Sequence, residues 1–168
     1  MDLKKKLLEN TEALIAKVDQ VSDSQFNTKP GGAEDSWSVA DVVEHLYRSE
    51  FGIPKLFTGK TEAVVDRAPD AYLEVMRKRF LESDKKMKAS DITLPTKGKK
   101  PKEALISKFR KNRRKIAELT GELTPEALCL LFEHPIYGYL TRLEWVHFNI
   151  IHAQRHMRQI ERIKSQIN

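Results

Sequence analysis

Thr141-Arg142-Leu143-Glu144 opens the most regular segment of the chain, and His152-Ala153-Gln154-Arg155-His156 lies near its middle. A threonine followed three residues later by glutamate is a capping box. Helical spacing then continues to about Gln166. Trp145, Phe148, His152, His156, Gln159 and Ile163 fall three or four apart and form one stripe, whose apolar members turn His152 and His156 toward a helical core. Positions i and i+4 differ by about 40° in azimuth, so both rings reach one point beside the helix. The two-histidine half of an H-E-x-x-H zinc site has this spacing, but its glutamate is missing here. His147 lies about 140° from His152, on the azimuth of Gln154, Arg158 and Ser165, where a solvent-facing side chain is expected.

Working outward, apolar periodicity predicts helices almost throughout. Leu3, Leu7, Leu14, Val18 and Val21 mark a first helix over about residues 2–21. Pro30-Gly31-Gly32 places a loop over 22–35. Ser38 and Asp41 give a second capping-box start, and Val39, Val42, Val43 and Leu46 carry that helix to about Glu50. Gly52, Pro54 and Gly59 break up the segment beyond it. Leu73, Met76, Phe80 and Met87 predict a helix around 71–89, and Pro95 to Pro101 is a basic loop. Leu105, Phe109, Ile116 and Leu119 mark a helix over about 102–120, stopped by Gly121. Thr124-Pro125 is read as the start of a short helix, and 134–139 as a turn-rich connection. No alternating strand pattern or internal repeat is visible. The expected fold is all-α: an antiparallel four-helix bundle with an additional helix around 71–89, in a single domain over 1–168.

With 168 residues, 40% hydrophobic and 32% charged, the chain suits a soluble globular protein. It has no apolar run of the roughly 18–20 residues a membrane span needs, and Met1 to Lys6 lacks an apolar signal core. Cytoplasmic residence is expected. Cys129 is the single cysteine, which excludes an intrachain disulfide and a cysteine-rich zinc site; among leucines it reads as a packed thiol. The net charge of +6 favours anionic partners. Lys97, Lys99, Lys100 and Lys102 form one basic cluster, and Lys108, Arg110, Lys111, Arg113, Arg114 and Lys115 another. Nucleic acid is one reading of them and a solvated helix face the other. The one aromatic within the second cluster, Phe109, belongs to the apolar stripe, so none is left on the basic face for base stacking, which weighs against nucleic acid.

Two inward histidines in register carry a desolvation and hydrogen-bonding demand that a cation meets directly. His45 and His134 are the candidates for a third ligand. His45 sits at the edge of the second helix's apolar stripe, and His134 precedes proline in a connection. His45 is preferred because a helix holds a ligand more rigidly than a loop. Glu144-x-x-His147 fits one element of a di-iron bundle, but the chain offers no second Glu-x-x-His.

Trp37-Ser38 opening a helix with His45, followed by His152-x-x-x-His156 on the last helix, resembles the DinB-like superfamily of helical metalloenzymes. The Lys29-Pro30 loop, the His45-Leu46 pair, the His134-Pro135…Gly138…Leu140-Thr141 approach and the closing segment His152 to Ile160 extend the likeness over most of the chain. The resemblance implies a four-helix core and a divalent ion, zinc or nickel foremost, on a histidine triad that falls on His45, His152 and His156. It also implies a homodimer. Some members are thiol-dependent transferases or isomerases using glutathione, mycothiol or bacillithiol, so a low-molecular-weight thiol is a candidate cofactor.

Three neutral imidazoles leave a divalent ion with open positions, the catalytic rather than the closed structural arrangement. Such an ion lowers the pKa of a bound water or thiol. Gln159 could orient a ring, Arg155 faces another helix or solvent, and Glu50 is either a buried base or lies past a helix end. The leading expectation is a metal-dependent S-transferase or hydrolase acting on a small molecule. A non-catalytic metal-binding stress-response protein is the alternative, and a basic nucleic-acid-binding bundle a third.

Overall fold

The computed structural model describes residues 2–167. Four long helices form the bundle: α1 (Leu3–Asp19), α3 (Val39–Glu50), α6 (Lys102–Glu122) and α7 (Arg142–Ile167). The short helices α2 (Asp23–Phe26), α4 (Ile53–Thr58) and α5 (Leu73–Arg77) lie between them. Local chemistry sets the starts. The Asp2 carboxylate accepts the Lys4 N–H at 2.9 Å, and Ser38 and Asp41 close a reciprocal capping box on α3. On α7, the Thr141 N–H donates to Glu144 at 2.9 Å and the Glu144 N–H to the Thr141 hydroxyl at 3.1 Å. Glu144 also receives both ends of the Arg67 guanidinium, at 2.7 and 2.9 Å, which ties the α4–α5 connection to the start of α7.

Side-chain pairings give the helix directions. α1 runs antiparallel to α6, with Glu12 on Arg110 and Lys102 reaching the Val21 carbonyl. α3 runs antiparallel to α7, with His45 against His152 and Trp37 against His156. The two antiparallel pairs lie side by side so that α1 and α7 share a direction, as do α3 and α6 (Asn10 with Ile150, Lys17 with Glu161; Asp41 with Lys100, Glu50 with Arg113). Like-directed α3 and α6 require a long crossover connection. That crossover, residues 51–101, returns over the groove between α3 and α7 and roofs it.

The core falls into two apolar clusters. One gathers Leu7, Phe57, Met76, Ile116 and Val146; the other gathers Leu14, Phe26, Val39, Leu46, Phe109 and Ile160. Between them lies a polar layer in which Arg113 bridges Glu50, Asn10 and the Asn149 carbonyl.

Several local expectations are corrected. The helix expected around 71–89 is α5 plus a π turn over Lys78–Glu82, and it ends there. Arg155 of α7 takes the Phe80, Ser83 and Lys85 carbonyls at 3.0, 3.0 and 2.6 Å, drawing off acceptors that a longer helix would use. α6 runs through Gly121 to Glu122, because Gly121 is not left-handed as a glycine stop requires. Thr124-Pro125 forms a turn and no helix. The carbonyls of Pro125 and Ala127 accept from Leu143 and Arg142, and the chain then pairs as β2 (Leu128–Cys129) with β1 (Thr61–Glu62), a strand pair that the sequence pattern did not show. The 22–35 loop contains α2 and a 3-10 turn over Pro30–Gly32, and the Gly52–Gly59 stretch contains α4. Among the described residues no helix is long and apolar enough to cross a membrane.

Candidate metal centre

α3 presents His45, and one turn of α7 presents His152 and His156, all three buried at 5, 8 and 9% exposure. The Nε2 atom of His152 lies 3.2 Å from Nε2 of His45 and 3.0 Å from Nε2 of His156. The opposite nitrogens of His45 and His156 point outward to partners. His45 Nδ1 donates to the Thr93 carbonyl at 2.9 Å, and His156 Nδ1 to the Gln159 Oε1 at 2.7 Å. A neutral imidazole with its proton on Nδ1 has a bare lone pair on Nε2. Two such lone pairs therefore converge on His152, which can donate to only one of them. A cation satisfies all three at once. Zinc ligands about 2.0–2.1 Å from a tetrahedral ion lie about 3.3 Å apart, close to the spacing seen. The residues fit a divalent ion.

The roof comes from the crossover. Thr93 ends a 3-10 turn, Asp91–Thr93, that is pinned to α3: Arg48 donates to the Ile92 carbonyl at 3.0 and 3.2 Å, and Glu44 accepts the Thr96 N–H at 2.7 Å. The Trp37 ring stands 5.1 Å from His45 and 6.5 Å from His156, and Phe80 stands 6.1 Å from His152. Burial holds all three imidazoles below their ordinary range, His156 to about 3. Among the described residues, the outside charges acting on His152 and His156 are all cationic: Arg113, Arg155 and Arg162. The pocket thus offers neutral nitrogen ligands.

The other candidates lie elsewhere. His134 is buried in a separate ring cluster, on the far side of Phe148. His147 is half-buried, not on the solvent face, and desolvation lowers its pKa beside Lys6 and Arg77. Glu50 is neither a free base nor past a helix end: both its oxygens bind Arg113, at 2.5 and 2.6 Å. Arg113 itself is fully buried and leaves the supposed solvated basic face, while Arg110 binds Glu12 and Lys100 binds Asp41. Cys129 is buried, which pushes its thiol up to about 11. Thr93, Glu44 and Arg48 were missed as parts of the site, since a crossover without periodicity gives no sign of where it docks.

Gln159 fixes the His156 ring from outside. Replacing it with leucine is expected to weaken zinc affinity about tenfold to a hundredfold with little change in the far-ultraviolet circular dichroism, checked by competition with a chromogenic chelator. Unchanged affinity would leave Gln159 without that role.

Three likenesses to known proteins accompany this geometry. The family model of the DinB superfamily matches residues 6–160. The uncharacterized protein YuaE of Bacillus subtilis (strain 168) is 25% identical over 148 residues, covering 88% of this chain and 88% of the relative. The structure of YfiT from Bacillus subtilis, described as a probable metal-dependent hydrolase with an unusual four-helix bundle topology, aligns with a TM-score of 0.58 at 20% identity. That alignment covers 96% of this chain and 86% of YfiT.

Proposed function

The chain belongs to the DinB superfamily, and from that premise we propose a divalent-metal-dependent enzyme that activates a nucleophile, water or a low-molecular-weight thiol, for attack on a small molecule. His45, His152 and His156 are its metal ligands in this reading, with zinc or nickel as the ion. The observation that carries it is the convergence of three Nε2 atoms, with the outer nitrogens of His45 and His156 held by Thr93 and Gln159. Such an ion supplies Lewis acidity, lowering the pKa of a bound nucleophile and polarising the bond it attacks.

The protein's own residues do the rest. Thr93 and Gln159 fix ring orientation, and the neutral, desolvated imidazoles leave the charge of the ion undiminished. Trp37, Phe80 and the Asp91–Thr93 turn exclude bulk water. Hydrolase chemistry is named for YfiT; thiol transfer and a homodimer belong to the same proposal on family grounds alone. The alternative, a non-catalytic metal-binding protein, is favoured by the lack, among the described residues, of a carboxylate acting on His152 or His156.

Two assays on zinc- or nickel-loaded protein test the reading: p-nitrophenyl acetate hydrolysis, and conjugation of bacillithiol or glutathione with monobromobimane. The expected result is turnover in one of them, reduced at least about a hundredfold in His156→Ala. Equal rates for the loaded wild type and His156→Ala in both would favour the non-catalytic alternative.

A further inference from the structure

Toward its N-terminus, the α7 stripe continues from His152 through Phe148 to Trp145, where a second set of rings gathers round His134. A tight loop places it. His134 and Gly138 exchange backbone bonds of 2.8 and 2.9 Å, and Gly138 adopts φ 69°, a left-handed value that favours glycine. The His134 ring then lies 4.9 Å from Tyr137, 5.6 Å from Trp145 and 4.8 Å from Phe148. His134, Tyr137 and Trp145 are 7, 8 and 3% exposed.

Hydrogen bonding in this cluster does not close. The Ile136 N–H donates to His134 Nδ1 at 3.2 Å, so a neutral ring carries its proton on Nε2. No described residue accepts that proton. Of the ring polar groups here, the Tyr137 hydroxyl and the Trp145 Nε1–H are buried without partners among the described residues. Native interiors rarely leave two such buried donors unsatisfied in one place. Their acceptor therefore comes from outside the chain. The exposed Arg79 is a cationic neighbour of both His134 and Tyr137. Two buried donors, with the His134 Nε2–H and a guanidinium beside them, suit an anion with lone pairs in more than one direction.

We propose that this ring cluster is a carboxylate-binding subsite for the substrate of the metal centre. Its link to the chemistry rests on the enzymatic reading above. The Phe148 ring stands between the two places, 4.8 Å from His134 and stacked at 18° and 5.3 Å on His152. A carboxylate held by His134, Tyr137 and Trp145 lays the body of its molecule along Phe148 and directs the other end toward the histidines. The substrate is accordingly a carboxylic acid whose reacting bond is separated from the carboxylate by about the width of an aromatic ring.

The test is direct binding to the metal-free protein. The chain has two tryptophans, so nitrogen-15 spectra show two indole N–H signals, assigned with Trp37→Phe. Phenylacetate is titrated in, with phenylacetamide as its uncharged twin. The Trp145 signal is expected to shift saturably with phenylacetate, at least about tenfold more weakly with the amide, and at least about tenfold more weakly with phenylacetate in Tyr137→Phe. Arg79→Gln, at an exposed position, gives a second variant should Tyr137→Phe fail to fold. The same titration in His152→Ala/His156→Ala is expected to be unchanged, so loss of the metal reading would leave the binding result standing. No saturable shift, equal affinity for the amide, or equal affinity in a folded Tyr137→Phe would overturn the subsite, even with metal uptake intact.

Discussion

Protein purified without chelator or affinity tag carries about one first-row divalent ion per chain, and a His152→Ala/His156→Ala variant carries none. The ion binds the folded chain, which alone assembles the triad, so it also stabilises that fold. Free ion at about a thousandfold above Kd adds about 4 kcal/mol, which raises the unfolding temperature of a domain this size by roughly 10 °C. The double variant gains nothing from zinc or nickel. Acid gives a second readout, with its sign fixed by burial. His45, His152 and His156 are all held below the ordinary imidazole range, His156 to about 3. Below about pH 6.5 the unfolded chain takes up protons that the folded triad refuses, so metal-free stability falls as the pH drops. Above that range both states are neutral and the triad adds no slope. Removing two of the histidines therefore flattens the acid limb. A metal-free preparation whose unfolding temperature ignores both ions would sink the centre.

The fold and the inward turn of His152 and His156 were legible in the sequence for the same reason: both are written in helical period, whereas His45 was chosen over His134 on rigidity and family likeness. The α3 and α7 capping boxes lie where Ser38/Asp41 and Thr141/Glu144 place them, and His152 and His156 turn inward with Trp145 and Phe148. His147 departs from that logic. Its azimuth points away from the core, but the crossover and α1 bring Arg77 and Lys6 against that side. The roof was not legible. Thr93 reaches His45 from 48 residues away through a segment whose docking depends on hydrogen bonds between the Arg48, Glu44 and Arg155 side chains and its backbone groups. Backbone partners leave no trace in residue identity. The buried ion pair does leave one, in the placement of its two charges. Glu50 falls four residues after Leu46, and Arg113 four after Phe109 and three before Ile116, so each occupies an apolar position of its stripe. Opposite charges at core positions of two helices can enter a bundle together only as partners.

Breaking that pair is the second large effect expected. Arg113 is fully buried and Glu50 nearly so, with bonds of 2.5 and 2.6 Å between them. Burial pushes the Glu50 carboxyl up, and Arg113 pulls it back down. Arg113→Ala strands a carboxylate between the two apolar clusters and also frees Asn10 and the Asn149 carbonyl. The expected loss is about 3–5 kcal/mol, read by urea unfolding. Glu50→Leu combined with Arg113→Met removes both charges while keeping apolar volume, and is expected to recover most of that loss. A loss below about 1 kcal/mol in Arg113→Ala would mean that water or a neighbour replaces the pair. The double variant also decides what Glu50 is for. Asn149 lies three residues before His152, so Arg113 braces α7 next to the turn that carries His152 and His156. If the pair is only a brace, the apolar double variant regains metal uptake and turnover together with stability. If Glu50 took part in proton transfer, stability and metal uptake would return and turnover would not.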